Sequence, residues 1–219
     1  MRQAEHQNLL AEVFDKLLQA FGPQYWWPAE TPFEVIIGAI LTQNTAWKNV
    51  EKAITALREN GLLALDPLLQ IPEAKLAPLI RASGYYNQKA RKLKHFCEYL
   101  GNHWGGDLDG FLEQNMASLR DQLLHLRGIG PETADSIVLY AADKPSFVVD
   151  TYTHRIFSRH GWVPEELSYD ELQNFFMDGL PSDVRLFKEY HALLVRAGHL
   201  YCHRRSACTG CPLETSQAK

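Results

Sequence analysis

The chain has 219 residues, 46% hydrophobic and 22% charged, the make-up of an ordinary globular protein with one large domain or two small ones. No apolar run reaches membrane-span length, and the opening MRQAEHQ lacks the basic-then-apolar pattern of a signal peptide, so a cytoplasmic protein with no membrane partner is expected. The net charge of −4 and pI of about 6.1 exclude a uniformly basic nucleic-acid binder, although one basic face would suffice for DNA.

Helical spacing dominates from the start. Leu9, Leu10, Val13, Phe14, Leu17, Leu18 and Phe21 form an i, i+3/i+4 stripe that stops at Gly22-Pro23. Residues 33–41 (FEVIIGAIL) are apolar all round, as in a helix buried inside a helical domain. Val50, Ile54 and Leu57 continue as a third helix, ending near Asn60-Gly61. Further helices are predicted near 73–82, 86–102, 107–114, 116–126, 131–142, 150–160, 168–178 and 183–201, separated by Pro72, Gly84, Gly105-Gly106, Gly128, Gly130, Pro145 and Pro181. No stretch alternates with period two, and the expected class is all-α.

Two basic stretches occur: Lys89, Arg91, Lys92, Lys94 and His95, then Arg196, His199, His203, Arg204 and Arg205. Each could be a nucleic-acid face or a solvated helix face, the commoner case.

The segment Leu126-Arg127-Gly128-Ile129-Gly130-Pro131-Glu132-Thr133-Ala134 joins two predicted helices through a Gly-x-Gly turn. Two glycines permit positive φ and close approach, so successive N–H groups can face a phosphate, and Pro131 suits the first helical turn. The positive end of the following helix also favours an anion. Such a grip carries no base information, because every phosphate looks alike. Beyond the next helix comes Phe147-Val148-Val149-Asp150-Thr151-Tyr152-Thr153-His154-Arg155, which places Asp150 at a helix N-cap, where N–H groups and the dipole keep a carboxylate ionised. Asp150 is either a plain cap or a carboxylate able to stabilise a developing positive charge or orient water.

Hairpin, helix, loop and V-V-D-T together resemble the helix-hairpin-helix DNA glycosylase superfamily, in particular its endonuclease III branch. Ile40-Leu41-Thr42-Gln43-Asn44-Thr45 is similar to the motif in that branch whose glutamine probes the duplex. The resemblance implies a six-helix barrel carrying the hairpin (126–134) over residues 32–144. A second lobe would come from residues 1–31 and 145–219. It further implies double-stranded DNA with a flipped-out nucleotide as the partner, a monomeric protein, Asp150 as the catalytic residue, and DNA contacts from Arg127, Gly128, Ile129, Gly130, Glu132 and Thr133.

Bifunctional members carry a Schiff-base lysine two residues after the second hairpin glycine; here that position is Glu132. A carboxylate cannot form an imine, so the resemblance implies a monofunctional enzyme that removes a base and leaves an abasic site. Lys144 is near in sequence but off the motif. Trp26, Trp27, Pro28, Gln43, Asn44 and Trp47 are the candidate base pocket. Tryptophan faces suit a flipped base, and a cationic alkylated purine would add a cation–π contribution of about 0.5–2 kcal/mol. The same tryptophans could be lobe core. WWP, TQNTxW, Gly84-Tyr85-Tyr86-Asn87-Gln88-Lys89-Ala90 and Tyr169-Asp170-Glu171-Leu172-Gln173 resemble bacterial 3-methyladenine glycosylases on this fold. Alternatives are a bifunctional glycosylase/lyase for oxidised or mismatched bases, and a non-catalytic DNA-binding relative.

Three of the four cysteines lie at Cys202, Cys208 and Cys211, which resembles the C-terminal [4Fe–4S] loop of endonuclease III relatives. The fourth family cysteine would fall near Gln217, and Cys97 reads as core. A cluster with a non-cysteine fourth ligand, another metal such as zinc, and a site without metal all remain open.

Overall fold

The computed structural model describes residues 3–203 and 208–214, and every regular element among them is helical. None of these helices is long and apolar enough to cross a membrane. Arg204, Arg205 and Gln217 lie outside the described residues. The chain forms two compact units, one comprising Ala29–Lys144 and the other Met1–Pro28 with Pro145–Lys219.

The first unit is built around α2 (Pro32–Leu41), in which every residue from Phe33 to Leu41 is buried. An all-apolar surface has no face to give to water, so neighbours cover it on every side. Thr31 caps α2 by accepting from the Glu34 N–H at 3.2 Å, and Pro32 occupies the first turn, where its missing N–H costs nothing. Buried Glu34 is neutralised by Arg58, 2.6 Å away on α3 (Trp47–Glu59). Helix α3 turns Val50, Ala53, Ile54 and Leu57 inward, the i, i+3, i+4, i+7 face of an amphipathic helix.

Two short helices follow, α4 (Leu65–Gln70) and α5 (Glu73–Leu79). The sequence pattern misses α4, because six residues burying only Leu68 leave no repeat to detect. Helix α6 (Tyr86–Trp104) buries Ala90, Leu93, Phe96, Cys97 and Leu100. Each such large apolar side chain contributes about 1.5–3 kcal/mol. Burial pushes the Cys97 thiol up to about 12, so it stays protonated as part of the core. Helices α7 (Leu108–Glu113), α8 (Met116–His125) and α9 (Pro131–Ser136) complete the unit. Helix α9 runs on through a π-helical turn at Ile137–Ala141, buried from Ile137 to Tyr140.

In the second unit, α1 (Gln3–Phe21) buries Leu10, Val13 and Leu17. The other helices are α10 (Thr151–Arg159), α11 (Tyr169–Gly179) and α12 (Val184–Leu200). An aromatic cluster fills the core, with Phe147 stacked on Phe176 at 4.0 Å and both Phe187 and Tyr190 edge-on to Phe147. The buried Tyr190 hydroxyl donates to the Leu10 carbonyl at 2.9 Å, so its burial leaves no unmet donor. Helices α10 and α12 approach so closely at Gly198 that a Cβ there would lie 2.3 Å from Tyr152 Cδ1.

Candidate DNA-binding hairpin and catalytic carboxylate

Helix α8 ends at Leu126, and the chain turns through Arg127 to Pro131 before α9 begins. Gly128 has φ +95°, a conformation that essentially demands glycine. Gly130 does not share it: it is an extended N-cap at φ −99°, ψ 178°. A Cβ at Gly130 would meet nothing within 4 Å. The expectation that both glycines use positive φ therefore holds only for the first. Ile129 is buried and anchors the turn, so only its backbone can face a ligand, whereas Arg127 and Glu132 are exposed.

Two polar ties hold the hairpin. Arg120 on α8 forks onto Asp135 on α9, with Nε to Oδ1 at 2.9 Å and Nη2 to Oδ2 at 3.1 Å. Asp135 is wholly buried, so this bidentate pair clamps the helices on either side of the turn. The second tie centres on Gln43, in the loop after α2. Its Nε2 donates to the Gly128 carbonyl at 3.1 Å and to the Thr133 hydroxyl at 3.0 Å. Its Oε1 accepts from Lys92 Nζ on α6. The predicted Gln43, Gly128 and Thr133 thus come together, joined by Lys92. Asn44 beside them is exposed, in the left-handed region at φ +54°.

Asp150 is the N-cap of α10, at φ −109°, ψ −179°, and one carboxylate oxygen accepts from the Thr153 N–H at 2.7 Å. The cap is held by its approach segment. Phe147, Val148 and Val149 are buried, Gln173 Nε2 donates to the Phe147 carbonyl at 2.7 Å, and the Val149 N–H meets the Tyr169 hydroxyl at 3.4 Å. The Asp150 side chain is half-buried, and among the described residues no lysine or arginine pairs with it. The cap engages one carboxylate oxygen, and a carboxylate held in this way could use the other to interact with a cation or a water. Buried His191 on α12 lies within electrostatic reach. Burial lowers its pKa while the Asp150 carboxylate opposes that shift, and the net direction is down, favouring neutral imidazole.

Trp26 and Trp27 are half-buried neighbours with ring centroids 5.6 Å apart, and Pro28 is exposed. Half-buried Trp47 opens α3, its indole N–H donating to Glu51 at 2.9 Å. None of the three tryptophans belongs to the core.

Cys202, Cys208 and Cys211 line one pocket with Ile156, His160, Ala197, Tyr201 and Leu213. Cys211 has a raised pKa, first from burial and also from its cysteine neighbours. Among the described residues, however, no three or more His, Cys, Asp or Glu side chains are disposed to hold a metal ion. The three sulfurs share this pocket, and thiolates are the ligand type that [4Fe–4S] or zinc takes.

Sequence reasoning passed over three functional neighbours. Asp135 carried a signal, a carboxylate inside an apolar helix start, which needs a buried cation. Lys92 stood out only as one member of a basic run. His191 gave no signal, since its meeting with Asp150 depends on how α12 packs on α10.

The family model for the HhH-GPD superfamily base excision DNA repair protein matches residues 37–182. A protein of Methanocaldococcus jannaschii named as a DNA repair glycosylase is 44% identical over 208 residues, 94% of each chain. The crystal structure of a Helicobacter pylori 3-methyladenine DNA glycosylase bound to 1,N6-ethenoadenine superposes with TM-score 0.75 at 30% identity, covering 91% of this chain and 98% of that one. A non-covalent endonuclease III–DNA complex superposes with TM-score 0.83 at 23% identity, covering 100% of this chain and 96% of that one, a likeness of fold.

Proposed function

The chain belongs to the HhH-GPD superfamily of base excision DNA repair proteins and is a DNA glycosylase, and we propose that it is monofunctional and removes alkylated purines of the 3-methyladenine type from double-stranded DNA. The observation that carries this reading is Glu132, which offers a carboxylate where strand-cleaving members resembled by this sequence present an amine. An imine with the sugar needs a nitrogen nucleophile, so the β-elimination route that cuts the strand has no starting point there.

An alkylated purine is already cationic. Its C1′–N bond breaks with the electron pair passing to the base, which leaves neutral, and the positive charge moves to the sugar. Asp150 stabilises that charge through its uncapped oxygen and orients the water that adds to C1′, whose proton is then lost. No general acid is needed for such a leaving group. Each of the candidate tryptophans, Trp26 and Trp27 in one unit and Trp47 in the other, offers an aromatic face of the kind on which a cationic base gains a cation–π contribution that a neutral base lacks, and Gln43 is the residue to fill the stack. The Helicobacter pylori relative, seen with a modified adenine, supports this choice of substrate class.

The test is a panel of duplexes carrying 3-methyladenine, oxidised pyrimidine, mismatched and abasic sites, with base release and nicking scored separately. Release of 3-methyladenine without nicking is expected, and Asp150→Asn should abolish it. Borohydride-trappable nicking of the abasic duplex would overturn monofunctionality; undiminished release by Asp150→Asn would remove Asp150 from the mechanism.

A further inference from the structure

The basic stretch on α6 sorts into different roles once its partners are known. Buried Lys89 donates to the Leu41 carbonyl at 2.8 Å and the Ser83 carbonyl at 2.6 Å. Lys94 donates to the Leu68 carbonyl at 3.2 Å and the Ile71 carbonyl at 2.9 Å, closing the end of α4. Arg91 lies 3.5 Å from Glu73. Lys92 has no such occupation. Its stem lies across Gly128, close enough that a Cβ there would sit 2.7–2.9 Å from Cγ, Cδ and Cε. Its ammonium rests on the neutral amide oxygen of Gln43, and no carboxylate pairs with it among the described residues.

An uncompensated, half-buried cation therefore sits at the positive-φ glycine of the hairpin. Its acceptor among the described residues is an amide whose other end is bonded to the same hairpin, at Gly128 and Thr133. A neutral amide oxygen is a weaker partner for an ammonium than an anionic one, by roughly a factor of two in bond strength. Lys92 is thus placed to give up Gln43 whenever an anion reaches the turn.

We propose that Lys92 is a phosphate ligand of the hairpin, held by Gln43 in the DNA-free protein. When a duplex docks, the ammonium exchanges the Gln43 oxygen for a backbone phosphate oxygen, and the exchange frees the Gln43 side chain to enter the stack. Backbone gripping and duplex probing are then coupled: Gln43 is released only where phosphate has arrived. The inference rests on the reading that the hairpin grips the DNA backbone.

The test is the salt dependence of affinity for a duplex bearing a tetrahydrofuran abasic analogue. Each phosphate contact adds about 0.9 to the slope of log K against log[salt], and over a range of roughly 50 to 200 mM one contact corresponds to about a 3.5-fold change. Lys92→Met keeps the stem over Gly128 and should flatten the slope by about 0.9, while Lys92→Arg should restore the wild-type slope. Lys92→Gln serves as the second neutral variant, and circular dichroism confirms folding of each. Neutral variants that weaken binding equally at every salt concentration would make Lys92 a structural post and overturn the proposal. Wild-type protein whose affinity ignores salt would instead refute the hairpin reading, and the inference with it.

Discussion

Gly128→Ala tests the hairpin most directly, because two separate costs fall on one methyl group. An L-residue at φ +95° is held in a sparsely populated region at a cost of about 1–3 kcal/mol. The methyl would also stand 2.7, 2.8 and 2.9 Å from Cε, Cγ and Cδ of Lys92. Comfortable carbon–carbon separation is about 3.5–4.0 Å, so the stem must move by roughly 1 Å. An off-rotamer torsion from that movement adds about 0.5–1.5 kcal/mol. The expected loss is therefore about 2–4 kcal/mol, read from the shift in urea unfolding midpoint at fixed slope. The two costs separate in a double-mutant cycle. In a Lys92→Ala background the overlap vanishes and only the backbone cost remains, leaving a coupling of about 1 kcal/mol. Affinity for abasic duplex should fall with stability, because the displaced Lys92 ammonium no longer stands at the turn where a phosphate would dock. A Gly128→Ala protein within about 0.5 kcal/mol of wild type would refute the account of the turn.

Other outcomes follow from the same unit. Asp135→Ala removes the wholly buried carboxylate that Arg120 grips through two hydrogen bonds. The expected loss is about 1.5–3 kcal/mol, and a thermal midpoint unchanged from wild type would show that the clamp does not hold the hairpin. Lys89 has its pKa lowered to about 8, first by burial and then by the charge of Lys92. Below pH 8 the folded state carries the penalty of a buried ammonium. Between pH 8 and the unfolded value near 10.5 the folded protein gives up a proton that the unfolded chain retains, so stability rises with pH. The gain relative to Lys89→Met is on the order of 3 kcal/mol across that window, measured by urea unfolding of both proteins. A difference that stays flat or falls would refute the assignment.

The helical class and most helices were legible in the sequence because burial leaves a periodic trace. The α1 stripe reappears as buried Leu10, Val13 and Leu17, and the apolar run at 33–41 is the most enclosed helix of its unit. Helix α4 was not legible, since one buried leucine makes no period. The glycines of the hairpin were legible as a turn but not as two different conformations. Glycine is required at 128 by φ and by Lys92, whereas the extended backbone at 130 suits many residues. The tryptophans show the reverse limit. Composition alone allowed core or pocket, and their partial exposure is a property of packing that no local pattern encodes.

Cationic side chains show most clearly where sequence reading stops. Within six residues of α6, Lys89 is buried on two carbonyls, Arg91 meets a glutamate, Lys92 lies against the hairpin and Lys94 closes another helix. All four looked alike as a charge run, with solvated faces the expected outcome. Helical spacing does separate them: 89 and 92 are one turn apart and face the loop after α2 and the hairpin, while 91 and 94 face α4 and α5. What spacing cannot supply is the acceptor, because each acceptor lies on a segment remote in sequence. A lysine whose acceptors are buried carbonyls has a structural task, since moving it would leave those carbonyls unsatisfied. One resting on a neutral amide at a glycine turn has an exchangeable partner, and this difference in what must be given up makes Lys92, not Lys89, the residue able to meet DNA.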